Sequence, residues 1–242
     1  MKNIVEMNLP RAFAAGSLVN DDLDLWVTGG FIDKDGTGTK STELISVDKR
    51  SSSPGPDLPV PLAKHCATLI DDSTFITIGG YIKDEGYTGK SFYFYGPTEV
   101  WSEAPKLQYV RGYFGCGSFD SDYHGGSRVT IAIGGWDGKD SYYDSTEVLV
   151  KGSDYWIEGP MLPYNIMEMS TIVKPDLTGL YVVAGYSKSN GDLNQLLELT
   201  CPFSGCQWKI LEPELQVPRA KHVSFLIYDH TFDCNIPSNS TK

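Results

Sequence analysis

The sequence predicts an all-β propeller built from repeated four-stranded units, and three observations support this fold class. A glycine pair closes a strand-like run at Gly29-Gly30, Gly79-Gly80 and Gly134-Gly135, and Ala184-Gly185 is a weaker fourth copy. The second glycines lie 50, 55 and 50 residues apart, and a fixed period of this length is typical of repeat folds. Alternating apolar positions separated by Gly and Pro clusters indicate short strands, with no convincing amphipathic helix.

Other columns repeat in phase with the glycines. An aromatic residue follows each pair: Phe31, Tyr81, Trp136 and Tyr186. A third-strand position is occupied by Glu43, Tyr93, Glu147 and Glu198. A fourth-strand tryptophan follows at Trp101, Trp156 and Trp208, whereas the first repeat has Ser51-Ser52-Ser53 there. A further column leads into the next first strand, at Pro10-Arg11, Pro61-Leu62, Val110-Arg111, Pro163-Tyr164 and Pro218-Arg219.

The third repeat shows how these columns map onto strands. Residues 111–119, 128–135, 145–150 and 155–158 read as four antiparallel strands joined by turns. Such sheets stack radially around a central channel, which leaves only short edges exposed. The paired glycines and Gly185 then allow a tight kink and close backbone approach. The three tryptophans fill the wedge between adjacent sheets. We interpret both sets as structural.

The pattern resembles the kelch repeat. The resemblance rests on Gly134-Gly135-Trp136-Asp137-Gly138 and Ser145-Thr146-Glu147-Val148, and it covers about residues 9–228. The chain departs from the pattern at Ala184 and in the missing first tryptophan. The resemblance implies a β-propeller, usually of six blades and sometimes more, that is used chiefly to bind proteins.

The repeats divide residues 1–228 into four full blades, at about 9–58, 59–107, 108–160 and 161–215. An extra strand is predicted at 219–227, and a polar tail at 229–242. Spacing from the tryptophan column places the first residues inside the fourth strand of a blade whose first three strands are absent. The sequence thus predicts an incomplete or open ring with partial units at both ends. A truncated product of a larger propeller gene is favoured over a small or open ring.

Composition excludes some classes of partner. The net charge of −11 argues against nucleic acid, which attracts clustered Lys and Arg. No run is long enough for a membrane helix, so no membrane insertion is expected. The first residues do not follow the pattern of a secretion signal. In contrast, the segment from Cys206 to Cys234 is similar to the ends of extracellular invertebrate kelch proteins. This similarity favours an extracellular location, with the cytoplasm as the alternative.

The five cysteines lead to a conditional prediction. A tight turn brings Cys201 and Cys206 within bridging range, so we predict a disulfide if the protein is exported. In a reducing compartment both thiols stay free. Cys66 and Cys116 lie in the small-residue column of first strands and are predicted to be buried thiols. Cys234 is unassigned.

The sequence predicts no catalytic residues, metal or cofactor. His65 and His222 share a strand-packing column, His124 lies in a turn and His230 in the tail, without a metal-ligand spacing between them. Asp33-Lys34-Asp35-Gly36 lacks the later glutamate that a calcium loop needs. Copper-radical oxidases and some sugar epimerases use kelch-like propellers, but no Cys–Tyr and His copper set is recognisable. The expected class is a non-enzyme.

The best binding candidates are the loops after the glycine pairs, which together form one mouth of the propeller, because binding sites concentrate on loops set on a rigid scaffold. They comprise Asp33, Lys34, Asp35, Lys83, Asp84, Glu85, Tyr87, Trp136, Asp137, Lys139, Asp140, Tyr142, Lys188, Asn190 and Asp192. The incoming strands add Tyr109, Arg111, Tyr164, Asn165 and Arg219. The opposite face carries the acidic turns Asp21-Asp22, Asp71-Asp72 and Asp122.

The acidic, tyrosine-rich lining favours a basic or hydroxyl-rich ligand. The leading hypothesis is a scaffold that binds a protein partner through this mouth. A carbohydrate-binding or carbohydrate-active propeller is the alternative, suggested by Trp136-Asp137 and Tyr142-Tyr143-Asp144. A truncated gene product without independent function is a second alternative.

Overall fold

The computed structural model describes residues 5–19, 24–46 and 48–224 and confirms the all-β prediction. Four antiparallel four-stranded sheets form a four-blade propeller. The turn at Asp21-Asp22, residues 225–227 of the predicted extra strand, His230, Cys234 and the tail at 229–242 lie outside the described residues. Residues 219–224 are described and form no strand.

The strands follow the repeats in order. Blade 1 contains β1 (Ala15–Val19), β2 (Asp24–Thr28), β3 (Thr42–Ser46) and β4 (Ser51–Gly55). Blade 2 contains β5 (Cys66–Asp71), β6 (Thr74–Ile78), β9 (Ser91–Tyr95) and β10 (Val100–Ala104), and its mouth loop forms a small hairpin, β7 (Tyr81–Ile82) and β8 (Gly86–Tyr87). Blade 3 contains β11 (Gly115–Ser121), β12 (Ser127–Ile133), β13 (Thr146–Val150) and β14 (Ile157–Glu158). Blade 4 contains β15 (Ser170–Val173), β16 (Gly179–Ser187), β17 (Gly191–Thr200) and β18 (Gln207–Leu211). Two single-turn 3₁₀ helices span Gly96–Thr98 and Asp122–His124.

The core lies between neighbouring blades. First strands pack in series, β1 on β5, β5 on β11 and β11 on β15. Between blades 3 and 4, Ile131 and Val148 face Leu180, Val182 and Leu199 in one buried cluster. Alternate residues of a strand point to opposite faces, so each interior blade seals one apolar face against each neighbour.

The fourth-strand tryptophans lock each blade onto the one before it. Their indole N–H groups donate to proline carbonyls that end the preceding blade: Trp101 to Pro56 (3.1 Å), Trp156 to Pro105 (2.8 Å) and Trp208 to Pro160 (3.0 Å). In blade 1 the register places Ser52 opposite Ile45, as Trp101 lies opposite Phe94. Blade 1 therefore lacks this anchor.

The glycine pairs permit a close approach between blades. Gly134 has φ 61°, and a Cβ there would lie 2.2 Å from the carbonyl oxygen of Ile166. Only glycine fits such a position without strain. Ala184 in blade 4 also takes a positive φ, 48°, and the strand register shifts between Val183 and Gly185.

The prediction for Cys66 and Cys116 is wrong, because the two residues form a disulfide with their Cα atoms 6.0 Å apart. They occupy the same column of β5 and β11, and first strands of adjacent blades lie side by side around the channel. One repeat of sequence separation is therefore a short distance in space. The predicted Cys201–Cys206 disulfide is present.

The strand register also corrects two columns. Glu43 lies opposite Val27, Phe92 opposite Thr77, Glu147 opposite Ala132 and Leu197 opposite Val182. The third-strand column is therefore Glu43, Phe92, Glu147 and Leu197, not Tyr93 and Glu198. Likewise the carbonyl that accepts from Gly135 N belongs to Ile166, not Tyr164. The column that enters the first strands is therefore Arg11, Leu62, Arg111, Ile166 and Arg219.

Candidate functional site

One residue just before each first strand, and Lys221 at the equivalent place after blade 4, adopts a left-handed backbone conformation. These are Phe13 (φ 55°), Lys64 (55°), Tyr113 (56°), Glu168 (55°) and Lys221 (57°). Such conformations are uncommon outside glycine. The five residues also form a chain of backbone hydrogen bonds of 2.7–3.1 Å, in which each N–H donates to the carbonyl of the previous member. We call this set the mouth ring.

The mouth ring and the loops after the glycine pairs lie on the same face. Isolated bridges join the residues before the ring to the aromatic column, at Ala12–Phe31, Ala63–Tyr81, Gly112–Trp136 and Met167–Tyr186. The predicted loops are therefore brought together around the ring.

Aromatic side chains form a continuous arc over blades 1 to 3. Neighbouring ring centroids lie 5.4–6.0 Å apart along this aromatic arc, which comprises Phe13, Phe31, Tyr81, Tyr87, Tyr113, Trp136 and Tyr142. Most contacts are edge-to-face, the geometry that aromatic quadrupoles prefer. The arc crosses blade boundaries, so its shape depends on several loops at once.

Lys64 lies within the arc. Its Nζ is 4.6 Å from the centroid of Tyr113 and 5.1–5.4 Å from those of Phe31, Tyr81 and Tyr87. It donates a hydrogen bond to Tyr87 Oη at 3.1 Å. Burial lowers the pKa of Lys64, partly opposed by the nearby Glu168 carboxylate. The ammonium group has three donors, so this contact leaves two available.

Tyr87 is the centre of the arc, between Tyr81 and Trp136. A Cβ at Gly138 would meet its ring at 2.2 Å, and one at Gly112 at 2.4 Å. The two glycines therefore make room for the ring. Burial is the main reason that the pKa of Tyr87 is raised, so the hydroxyl stays protonated.

The blade 4 sector of the mouth is polar. Glu168 forms an ion pair with Lys221 at 3.4 Å. Asn165 Oδ1 accepts from Ser187 Oγ (3.1 Å) and from the backbone N–H of Lys188 (3.0 Å), which fixes the hairpin tip. Lys188 Nζ reaches back over the ring of Tyr142, 5.0 Å from its centroid. The mouth thus combines an aromatic arc with a charged sector.

The predicted acidic residues are partly engaged by their own loops. Asp33 Oδ1 accepts from the N–H groups of Asp35 and Thr37, and Asp137 Oδ1 accepts from those of Lys139 and Ser141. Hydrogen bonds from Thr37 are the main cause of the lowered pKa of Asp33. These carboxylates accept hydrogen bonds within their own turns, so fewer of their oxygen lone pairs are available to a ligand.

The other loop candidates lie at the rim. Lys83 Nζ donates to Thr37 Oγ1 in the neighbouring loop at 3.0 Å, and Glu85 pairs with Lys90 at 2.8 Å. The remaining predicted loop residues are exposed: Lys34, Asp35, Asp84, Lys139, Asp140, Asn190 and Asp192.

The incoming side divides into buried and exposed residues. Arg111 is fully buried and paired with Glu147 at 2.8 Å, so it belongs to the core and not to the mouth surface as predicted. Tyr164 is half-buried, and burial raises its pKa to about 12. Tyr109 is exposed and lies 5.9 Å from the ring of Tyr143. Arg219 is exposed.

Sequence reasoning missed the mouth ring itself. Each member lies two residues after the column that contains Arg11 and Leu62, and their side chains all differ in character except the two lysines. A repeat position that is fixed in place but occupied by different residue types is the sequence signal from which the mouth ring could have been found.

Within the described ranges, no group of three His, Cys, Asp or Glu residues is arranged to hold a metal ion. His65 is buried, with Nε2 2.8 Å from Thr28 Oγ1, and burial lowers its pKa to about 3. Among the helices of the described part, none is long and apolar enough to cross a membrane.

Comparison with known proteins supports the fold. No protein-family model matches the chain, and no curated protein matches its sequence. The solved structure titled "Structure of YjhT" matches with a TM-score of 0.70 at 14% sequence identity. The match covers 90% of this chain and 69% of that one. At this identity the similarity shows a propeller fold and nothing about activity.

Proposed function

We propose that this chain is a kelch-type propeller that acts as a non-catalytic binding scaffold, with a partner polypeptide docked on the mouth. The observation that carries the proposal is the aromatic arc with Lys64 inside it. The glycine and tryptophan columns repeat because packing requires them. The mouth ring keeps its backbone conformation while its side chains change, which is expected of a surface adapted to one ligand.

The chemistry of the mouth indicates what the partner presents. Large rigid aromatic side chains are the usual anchors of protein interfaces. Lys64 is half-buried with donors to spare, so a hydroxyl or carbonyl oxygen from the partner would recover hydrogen bonds that burial removed. The charged sector at Glu168, Lys188 and Lys221 would set the orientation of the partner.

A displayed library of random dodecamer peptides tests this proposal even though the natural partner is unidentified. Peptides selected on the purified protein are expected to lose at least tenfold in affinity for the variants Lys64→Met and Trp136→Ala. The triple variant Trp136→Ala, Tyr142→Ala, Lys188→Ala is expected to abolish binding and to leave thermal unfolding nearly unchanged. The matched control is the opposite face, at Asp72→Ala and Asp122→Ala. Selected peptides that depend on the control positions instead would show that the mouth is the wrong face.

Carbohydrate binding is the second candidate, favoured by one observation. The rings of Trp136 and Tyr142 lie 5.9 Å apart and are inclined by only 34°, which gives a shallow platform on which a sugar ring could stack. A glycan array probed with the purified protein separates the candidates. Binding to a defined glycan that is lost in Trp136→Ala, without any peptide selected, would replace the protein partner by a sugar.

We also propose an oxidising, extracellular setting, which the two disulfides support. Cys66–Cys116 joins two blades and Cys201–Cys206 clasps the turn between β17 and β18. Such bonds persist mainly in exported proteins. Mass mapping of native protein without reduction is expected to recover both bridged pairs, and four free thiols would contradict the location.

A further inference from the structure

A cleft of about 280 Å³ lies between blades 2 and 3. It opens beside the turn that joins β13 to β14, so it faces away from the mouth. Its volume falls just below the range of about 300–1,000 Å³ that is typical of pockets for drug-sized ligands. Its lining includes Ile70, Tyr93 and Glu103 of blade 2 and Thr130, Leu149 and Asp154 of blade 3.

Two small polar side chains make room for the cleft. Ser118 lies opposite Thr130 in blade 3, and Thr130 comes two residues before the partner of Glu147 in the third-strand column. The residues at the same two positions are apolar in the neighbouring blades: Leu69 and Phe75 in blade 2, Val173 and Leu180 in blade 4.

The other two blade interfaces are filled at this position. Between blades 1 and 2, Phe75 stacks on Trp26 with ring centroids 5.3 Å apart. Between blades 3 and 4, Leu180 is fully buried in an apolar cluster. The cleft is therefore a feature of one interface and not a requirement of the repeat.

The buried end of the cleft offers a hydrogen-bond donor. The hydroxyl oxygens of Ser118 and Thr130 lie 2.9 Å apart, and both residues are buried. Two hydroxyl groups carry two hydrogens, and their mutual bond uses one. Among the described residues, the pair makes no other hydrogen bond. When Ser118 donates to Thr130, the hydrogen of Thr130 is free to bond an oxygen in the cleft.

The middle of the cleft is apolar and aromatic. Ile70 and Leu149 belong to one buried cluster, and Tyr93 packs against it. Burial, together with the nearby Asp154 carboxylate, raises the pKa of Tyr93, so its phenol stays protonated at neutral pH. The gap between two sheets suits a flat apolar group, and the ring of Tyr93 offers it an aromatic contact.

The rim of the cleft is acidic. Glu103 and Asp154 are exposed, and within the described part of the chain neither forms an ion pair. Lys151 also lies at the rim, but its Nζ is 2.5 Å from Asp71 Oδ2, so its charge is balanced by blade 2. Two carboxylates therefore remain to attract a cation at the opening.

We propose that this cleft binds a small primary arylalkylamine that carries an oxygen at the end opposite its amine. The aromatic body lies against Tyr93, the ammonium group meets Glu103 and Asp154, and the oxygen accepts from Thr130. An acid of the same shape would bring a negative charge to the acidic rim, so it is rejected. The proposal is independent of ligand binding at the mouth.

Tyramine, which has an ethylamine arm and a phenolic oxygen, serves as the probe. Isothermal titration calorimetry with the purified protein is expected to show saturable binding to one site. The compound para-ethylphenol lacks the ammonium group and should bind at least tenfold more weakly, and para-hydroxyphenylpropionate should not bind. Equal binding of all three compounds, or no binding of tyramine at millimolar concentration, would overturn the proposal.

The double variant Ser118→Val, Thr130→Leu copies blade 4 and fills the cleft. It should abolish tyramine binding without loss of thermal stability, because replacement of both partners of a buried hydrogen bond by apolar groups is often neutral or stabilising. Unchanged binding in a folded double variant would overturn the proposal.

Variants at the rim leave the core untouched and test the site separately. Glu103→Gln combined with Asp154→Asn should weaken tyramine binding at least tenfold, and unchanged binding would contradict the assigned role of the rim. Glu158→Gln is the matched control, because Glu158 lies opposite Glu147 as Glu103 lies opposite Phe92. This control should leave binding unchanged.

Two further measurements separate this site from other sources of amine binding. Loss of tyramine binding in Trp136→Ala would place the amine in the mouth and overturn the proposal, whatever the result of peptide selection there. The amide of Nα-acetyl-lysine presents the ammonium group of a protein side chain. If it bound more tightly than tyramine, the cleft would belong to a lysine of a partner protein, which would also overturn the proposal.

Discussion

The residue that begins each repeat packs against a residue of the third strand. The two form a buried ion pair in blades 1 and 3, and they belong to one apolar cluster in blades 2 and 4. At the same backbone position, Arg111 and Glu147 are fully buried in blade 3, while Leu62 and Phe92 fill the equivalent space in blade 2. Replacement of a buried ion pair by apolar residues of similar volume is often neutral or stabilising, whereas loss of one partner is costly. The comparison teaches that the residue that begins a repeat and its partner on the third strand must change together.

The two ionic blades also differ from each other. Burial opposes the charged form of Glu43, but hydrogen bonds from Ser52, Asn8 and Arg11 outweigh it, so the pKa of Glu43 lies below its usual value. In blade 3, burial lowers the pKa of Arg111, partly offset by the adjacent Glu147. The blade 3 pair is therefore the better place to test the cost of a lone buried charge.

The largest effect is expected for Arg111→Leu. This change leaves the Glu147 carboxylate buried without its cation, at a cost of about 3–5 kcal/mol in the free energy of unfolding. The double variant Arg111→Leu, Glu147→Phe copies blade 2 and should recover most of that loss. Urea denaturation of both variants measures the difference. A double variant as unstable as the single one would break the comparison between the two kinds of blade.

The disulfide between blades 2 and 3 joins one blade of each kind. Replacement of both Cys66 and Cys116 by alanine releases a long loop and is expected to cost about 4 kcal/mol on the chain-entropy estimate. The same change at Cys201 and Cys206 opens only a short loop and should cost about 2 kcal/mol. Thermal unfolding under oxidising conditions gives both values. Equal losses would show that strand packing, and not loop length, determines the contribution of each bond.

Acid should reveal a weakness specific to blade 2. His65 is neutral in the folded state because burial lowers its pKa from 6.5 to about 3. The stability it supports is complete above pH 6.5 and is lost as the pH falls toward 3, by about 2 kcal/mol between pH 7 and pH 5. His65→Asn should flatten this dependence in unfolding experiments more strongly than His124→Asn, because burial also lowers the pKa of His124 but that side chain is less deeply buried. An unchanged profile in His65→Asn would transfer the pH dependence to other groups.

The smallest effect on stability is expected at the mouth. Lys64→Met removes the cost of burying a cation and also removes the attraction of that cation to four aromatic rings. These two contributions largely cancel, so the free energy of unfolding should change by less than about 1 kcal/mol. Capture of selected peptides should nevertheless fall at least tenfold. A large loss of stability would mean that Lys64 is a packing residue like Leu62.

The fold is predictable from the sequence because the glycine and tryptophan columns are set by packing that every blade shares. Prediction fails for two cysteines because residues one repeat apart in the sequence are also close together in space. Cys66 and Cys116 are equivalent packing positions in the repeat, but equivalent positions on adjacent first strands are also neighbours in space. Tyr164 and Glu198 fall into the wrong columns because residue type misleads there: Pro163-Tyr164 resembles the Pro10-Arg11 step, and Glu198 resembles Glu147, whereas backbone position selects Ile166 and Leu197.

The site is less predictable than the fold. The loops lie on the expected face relative to the first strands, but side-chain contacts decide which residues are available. Arg111 forms a buried ion pair with Glu147, and the carboxylates of Asp33 and Asp137 accept hydrogen bonds within their own turns. The aromatic surroundings of Lys64 come from rings on three blades, and no local sequence pattern contains these contacts.

The tryptophan contacts have a direction along the chain. In each case the donor belongs to the later blade and the acceptor, Pro56, Pro105 or Pro160, to the earlier one. The mouth ring follows the same order, since each N–H reaches back to the preceding member. Each of blades 2 to 4 is thus joined to the blade before it by one indole contact and one backbone contact, and a chain that emerges N-terminus first meets both partners in a blade that has already been synthesised.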